Sequence, residues 1–121
     1  MIPGKRFRHP SFALQGFRTA LSQERNLKVM CGVGAVAIVA GIALRLDPLS
    51  WAIVLLCCGV VIAGELLNTA VETIIDLVSP EFHPLAGRAK DIAAAAVWSL
   101  SVFVALAGTI VYANALMRLL S

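Results

Sequence analysis

The chain has 121 residues and a net charge of +3, with 60% hydrophobic and only 14% charged residues. A soluble domain carries about 25% charged residues, and a chain this short cannot bury so much apolar surface within itself. A water-soluble globular domain is therefore excluded, and the bilayer is the natural solvent. Cys31, Cys57 and Cys58 lie in apolar runs without C-x-x-C spacing, which supports neither a disulfide framework nor a zinc site. The expected fold class is all-α and integral to the membrane: one domain over 1–121, with three transmembrane helices behind an N-terminal amphipathic interfacial helix.

Residues 1–28 carry Lys5, Arg6, Arg8, Arg18, Arg25 and Lys28 rather than an apolar run, so no secretory signal is expected. A helix is predicted over 11–25, with Ser11 as its cap after Pro10. Ala13, Leu14, Phe17, Ala20 and Leu21 share one face, while Arg18, Ser22 and Arg25 lie opposite, the pattern of a helix lying in the membrane interface. The first span is predicted over 27–46, with Gly32 and Gly34 as helix-packing glycines. Asp47 and Pro48 break the chain, and Pro48 suits the start of a second helix over 49–78. Residues 79–84, rich in proline and polar groups, form a loop, and a third helix covers 84–120 with no charge between Ile92 and Met117.

The basic residues set the expected topology. Six flank the amino-terminal side and Arg88 and Lys90 join them, against Arg45 and Arg118 on the other, so the amino terminus and the 79–91 loop are expected in the cytoplasm.

The second span carries Glu65, Asn68, Thr69, Glu72 and Asp76 within an arc of about 100°. Each ionised group at mid-bilayer costs roughly 2.5–3.5 kcal/mol on insertion scales, so such a stripe needs a reason. With Trp51 at the outer interface, Glu65 lies ~21 Å and Glu72 ~31 Å deeper, which takes the stripe from the inner third of the membrane to cytoplasmic water. Asn68 and Thr69 suit interhelical hydrogen bonds. Glu65 and Glu72 need a cation or a proton, and no Lys or Arg in the spans matches them. Mg²⁺ is a candidate, since it takes one or two carboxylates together with phosphate oxygens. Glu24 approaches the same boundary, and Glu81, His83, Arg88, Lys90 and Asp91 stand at the same depth, with Lys90 and Arg88 able to hold phosphates. No G-x-x-x-x-G-K-[ST] loop, protein-kinase signature or G-x-S-x-G occurs.

Here the sequence resembles a known family, the small prokaryotic diacylglycerol kinases and related undecaprenol kinases. Residues 65–76, ELLNTAVETIID, are similar to the family's E-x-x-N-[TS]-A-[IV]-E-x-x-x-D, and residues 81–91, EFHPLAGRAKD, to its E-[YF]-H-x-L-x-x-x-A-K-D. The likeness covers about residues 5–120. It implies a homotrimer in the bacterial inner membrane, with active sites between subunits and direct phosphoryl transfer from MgATP to a lipid hydroxyl. By motif position it implies Glu65 as the general base that meets the lipid substrate, with Asn68 supporting it. Glu24 and Glu72 would hold Mg²⁺ and, with Glu81, His83, Lys90 and Asp91, the nucleotide. The run Ser22-Gln-Glu24-Arg25-Asn26 and the absence of tryptophan before Trp51 resemble the undecaprenol branch. No nucleic-acid partner is expected.

Two other classes compete. An ion or proton pathway would need a polar line across the whole bilayer, yet Leu49 to Gly64 holds no charge. A purely structural membrane protein would tolerate Gln at positions 65 and 72, whereas a kinase would not.

Overall fold

The computed structural model describes residues 10–121. Lys5, Arg6 and Arg8, which entered the topology argument, lie outside the described residues. Four helices follow in order: α1 (Pro10–Gln23), α2 (Arg25–Ala43), α3 (Pro48–Val78) and α4 (Pro84–Leu120). Ser11 falls inside α1 rather than capping it, because Pro10 already has the φ that a first helical turn requires. Phe17, Ala20 and Leu21 turn toward the protein, while Leu14 on the same helix remains 58% exposed. That leaves α1 an apolar edge suited to the membrane interface.

A single residue separates α1 from α2. Glu24 adopts an extended conformation (φ −109°, ψ 109°) and its side chain caps nothing, so the carboxylate stays available. The chain bends there, and Leu27 in the first turn of α2 is fully buried, which fixes that turn. At its other end α2 stops at Ala43, short of the expected Leu46, because Arg45 takes a left-handed conformation (φ 56°). Arg45 occupies the place where a helix usually ends on glycine. Leu46 N–H then returns to the Gly41 carbonyl at 3.2 Å. Gly41 is required here: a Cβ would lie 2.8 Å from Trp51 and 2.9 Å from Leu46. Asp47 caps α3 by accepting from Ser50 N–H at 3.3 Å, with Pro48 in the first turn.

α3 and α4 run to 31 and 37 residues, or about 46 and 55 Å. Both exceed the ~30 Å hydrocarbon core, so their ends near the Ser79–His83 loop project beyond it. All three long helices are apolar enough to span, and only 11%, 17% and 6% of their most apolar stretches are buried. Leu46, Val54, Val111 and Ala115 form a small core near the Arg45 turn. Tyr112 ties α4 to α2 by donating from its hydroxyl to the Ala37 carbonyl. A core this slight cannot hold three helices together in water. The chain is an all-α integral membrane protein.

Two glycines read alike in sequence differ in place. Gly34 faces Cys58 Sγ at 3.5 Å, whereas Gly32 faces open space and packs against nothing in the described chain. Their 200° separation on α2 makes this unavoidable once one of them meets α3. The three cysteines are free thiols.

Candidate active site

The carboxylate stripe on α3 runs toward the end of the bundle that also carries the α1–α2 bend and the Ser79–His83 loop. Glu65 is 5% exposed, the one buried charged side chain among the described residues. Asn26, in the first turn of α2, donates from Nδ2 to Glu65 Oε1 at 2.5 Å. Thr69 donates to the Glu65 carbonyl at 3.0 Å and so consumes its own hydroxyl within α3. One turn on, Asn68 Nδ2 donates to Glu72 Oε1 at 3.2 Å. Its other amide atom, Oδ1, is buried and has no partner among the described residues.

Glu24 and Glu72 both stand near enough for their charges to act on Glu65, and Glu72 is likewise within electrostatic reach of Lys90. The bend at Glu24 thus brings a residue some forty positions distant to the stripe. Lys90 pairs with Asp76 at 2.6 Å, joining α3 to α4 where both helices leave the apolar region. His83 caps α4, its Nδ1 accepting from Leu85 N–H at 3.1 Å. That bond places the neutral ring's proton on Nε2, which faces outward as a donor. Glu81, Arg88 and Asp91 are exposed, and their charged groups bond to nothing in the described chain. Among the described residues no three His, Cys, Asp or Glu side chains converge as a complete metal cage.

Two hollows flank the stripe. An apolar cleft of about 280 Å³ opens between α2, α3 and α4, lined among others by Met30, Gly34, Cys58, Val61 and Tyr112. Met30 and Val61 lie one turn from Asn26 and Glu65, so the cleft begins where the polar stripe ends. A second hollow of about 480 Å³ lies between the ends of α3 and α4, beside Ile75, Ser79 and His83.

Residues 11–112 match the prokaryotic diacylglycerol kinase family. The chain belongs to that family. It is 35% identical over 89 residues to the undecaprenol kinase of Bacillus subtilis, covering 74% of this chain and 72% of that protein. It is 33% identical over 85 residues to the diacylglycerol kinase of Helicobacter pylori, covering 70% and 66%. The diacylglycerol kinase of Escherichia coli K12 is 30% identical over 86 residues, covering 71% and 70%. Membership in this kinase family makes the chain an enzyme, an ATP-dependent lipid kinase of a membrane. The ion-pathway reading of the carboxylates falls away with it.

Sequence reasoning missed two partnerships at the site. The Asn26–Glu65 bond links positions 39 residues apart, and Asn26 had served only as part of a resemblance. A signal was present: Asn26, Met30, Gly34 and Ala37 recur at helical spacing on one face of α2. The Asp76–Lys90 pair needed the loop geometry between α3 and α4, which proline spacing alone does not supply.

Proposed function

We propose that the chain transfers the γ-phosphoryl group of ATP, with Mg²⁺, to the terminal hydroxyl of undecaprenol at the cytoplasmic face of the membrane. The observation that carries this reading is the placement of Glu65: a buried carboxylate at the junction of an apolar cleft and a row of charged groups. A lipid alcohol has the same two-part character. Its chain belongs in hydrocarbon surroundings, and its hydroxyl belongs beside a proton acceptor.

In this reading Glu65 takes the hydroxyl proton as the lipid oxygen bonds to the γ-phosphorus and the bond to the bridging oxygen of ADP breaks. The products are the lipid phosphate and ADP, and the proton leaves Glu65 for water. Phosphoryl transfer depends on positioning and charge neutralisation more than on covalent chemistry. Glu24 and Glu72 would hold Mg²⁺, which supplies neutralisation of phosphate charge. The donor set fits: Glu72 is bonded to Asn68, whose buried Oδ1 has no partner among the described residues, and Glu24 carries the second carboxylate. Two carboxylates suffice when phosphate oxygens complete the shell. Lys90 is the cation for the phosphates, shared with an exposed Asp76 that a phosphate can displace. His83 Nε2, Glu81 and Asp91 surround the nucleotide, and Asn68 steadies Glu72 from one turn away. A homotrimer with sites between subunits would cover the helix faces left bare in one chain. Undecaprenol as acceptor is supported by the Ser22–Asn26 segment.

The test is γ-phosphate transfer from labelled MgATP by the purified protein in mixed micelles, offering undecaprenol and diacylglycerol in parallel, with Glu65→Gln alongside. Labelled undecaprenyl phosphate that disappears in the variant is the expected result. A preference for diacylglycerol would reassign the acceptor, and an active Glu65→Gln would remove Glu65 from its role.

A further inference from the structure

We infer that Asn26 is the positioning residue for the proton-accepting carboxylate: its amide holds Glu65 Oε1 and leaves Oε2 as the oxygen that meets the acceptor hydroxyl. The inference rests on Glu65 being the proton acceptor. The buried Glu65 carboxylate takes its one side-chain hydrogen bond within the described chain from Asn26 Nδ2, at 2.5 Å. No donor of the described chain reaches Oε2.

An amide suits this position better than a charged donor would. It cannot give its proton away, so it leaves the carboxylate its charge and its capacity to accept a proton. A Lys or Arg would form an ion pair and compete with the hydroxyl for the same charge. The amide bond also survives the reaction: once Oε2 is protonated, Oε1 remains a carbonyl acceptor. Asn26 therefore fixes the plane of the carboxyl group before and after the proton moves. Its own place is determined twice over, by the extended residue Glu24 two positions earlier and by the fully buried Leu27 next to it. Oε2 is then the oxygen left for the acceptor, and Val61, one turn before Glu65, lines the apolar cleft that suits a lipid chain.

The experiment compares the full chain with Asn26→Ala, Asn26→Asp and Glu65→Gln in mixed micelles with MgATP and both lipids. Removing the donor is expected to lower kcat about 10- to 100-fold, the cost of misplacing a reacting group. KM for MgATP and for the lipid should stay within about threefold, since ground-state binding is untouched. Asn26→Asp keeps the volume without the N–H, so it reports even if the alanine variant does not fold. A second readout is the infrared carboxylate band of Glu65, isolated by subtracting the Glu65→Gln spectrum, which should shift when Asn26 is replaced. Unchanged kcat, a rise confined to KM, or an unmoved band would each overturn the inference. An active Glu65→Gln would instead sink the role of Glu65, and the band would still report on the contact.

Discussion

Lys90 Nζ lies 2.6 Å from Asp76 Oδ1, bridging α3 and α4 at the end of the bundle where the stripe emerges. Both side chains are well exposed, at 41% and 65%, so water screens the pair and it adds little to stability. The pair thus keeps Lys90 near Glu72 without committing it. Asp76→Asn should leave the thermal unfolding midpoint in detergent almost unchanged. Lys90→Met should raise KM for ATP at least about tenfold, through loss of a charge-assisted phosphate contact. An equal effect of Lys90→Met on stability and on KM would make the pair a structural clamp instead.

Close packing also marks the opposite end, away from the chemistry. A methyl group at Gly41 would meet Trp51 Cη2 at 2.8 Å and Leu46 Cδ1 at 2.9 Å. Gly41→Ala should therefore destabilise the protein by about 1–3 kcal/mol, the usual cost of overfilling a packed site. Adding Trp51→Phe should recover part of that loss. Gly32→Ala is the control, because nothing lies within 4 Å of the new methyl group. It should be neutral or slightly stabilising, by up to about 1 kcal/mol, through helix propensity. Thermal unfolding of the three variants in one detergent decides the matter.

What could be read in the sequence, and what could not, divides along a physical line. Relations within one helix were legible in part: Glu65, Asn68 and Glu72 share a face because 3.6 residues make a turn, but Asn68 and Thr69, expected to bond between helices, bond Glu72 and the Glu65 carbonyl within α3 instead. Relations between helices were not. Asn26 reaches Glu65 only because a one-residue break at Glu24 sets the rotation of α2, and no periodicity announces such a break. The turn before α3 shows both sides. Asp47 and Pro48 mark its end plainly, yet the left-handed residue is Arg45, where glycine would have signalled it. His83 was read for its chemistry, while the structure gives its Nδ1 to the cap of α4. A histidine can serve both purposes because its two ring nitrogens face different ways.

Asp47 offers a stability test outside the membrane segments. The hydrogen bond it accepts from Ser50 at the start of α3 holds its carboxyl below the ordinary carboxylate value. A group whose folded value is depressed contributes stability above its unfolded value and loses it as pH falls through the folded one. Asp47→Ala should therefore lower the unfolding midpoint at neutral pH. In acid below the ordinary carboxylate range, the variant and the parent should converge. A gap that persists in acid would show that alanine acts on the helix start by some route other than the cap.

The Mg²⁺ reading of Glu72 can be separated from general damage to the site. Glu72→Gln keeps the shape of the side chain and an acceptor oxygen for Asn68, but removes the charge a divalent ion needs. If Glu72 holds the metal, the Mg²⁺ concentration giving half-maximal activity should rise about 10- to 100-fold, as for other weakened metal shells. Excess Mg²⁺ should then recover much of kcat, since the acceptor carboxylate at Glu65 is untouched. Chelation should silence the parent enzyme, and added Mg²⁺ should restore it. Glu65→Gln should behave in the opposite way, keeping its Mg²⁺ requirement while losing about 10²–10⁴ in rate, because the missing function there is proton acceptance. If both variants lost rate together and neither moved the Mg²⁺ midpoint, the two carboxylates would form one proton-accepting unit, and the ion would have to be held elsewhere.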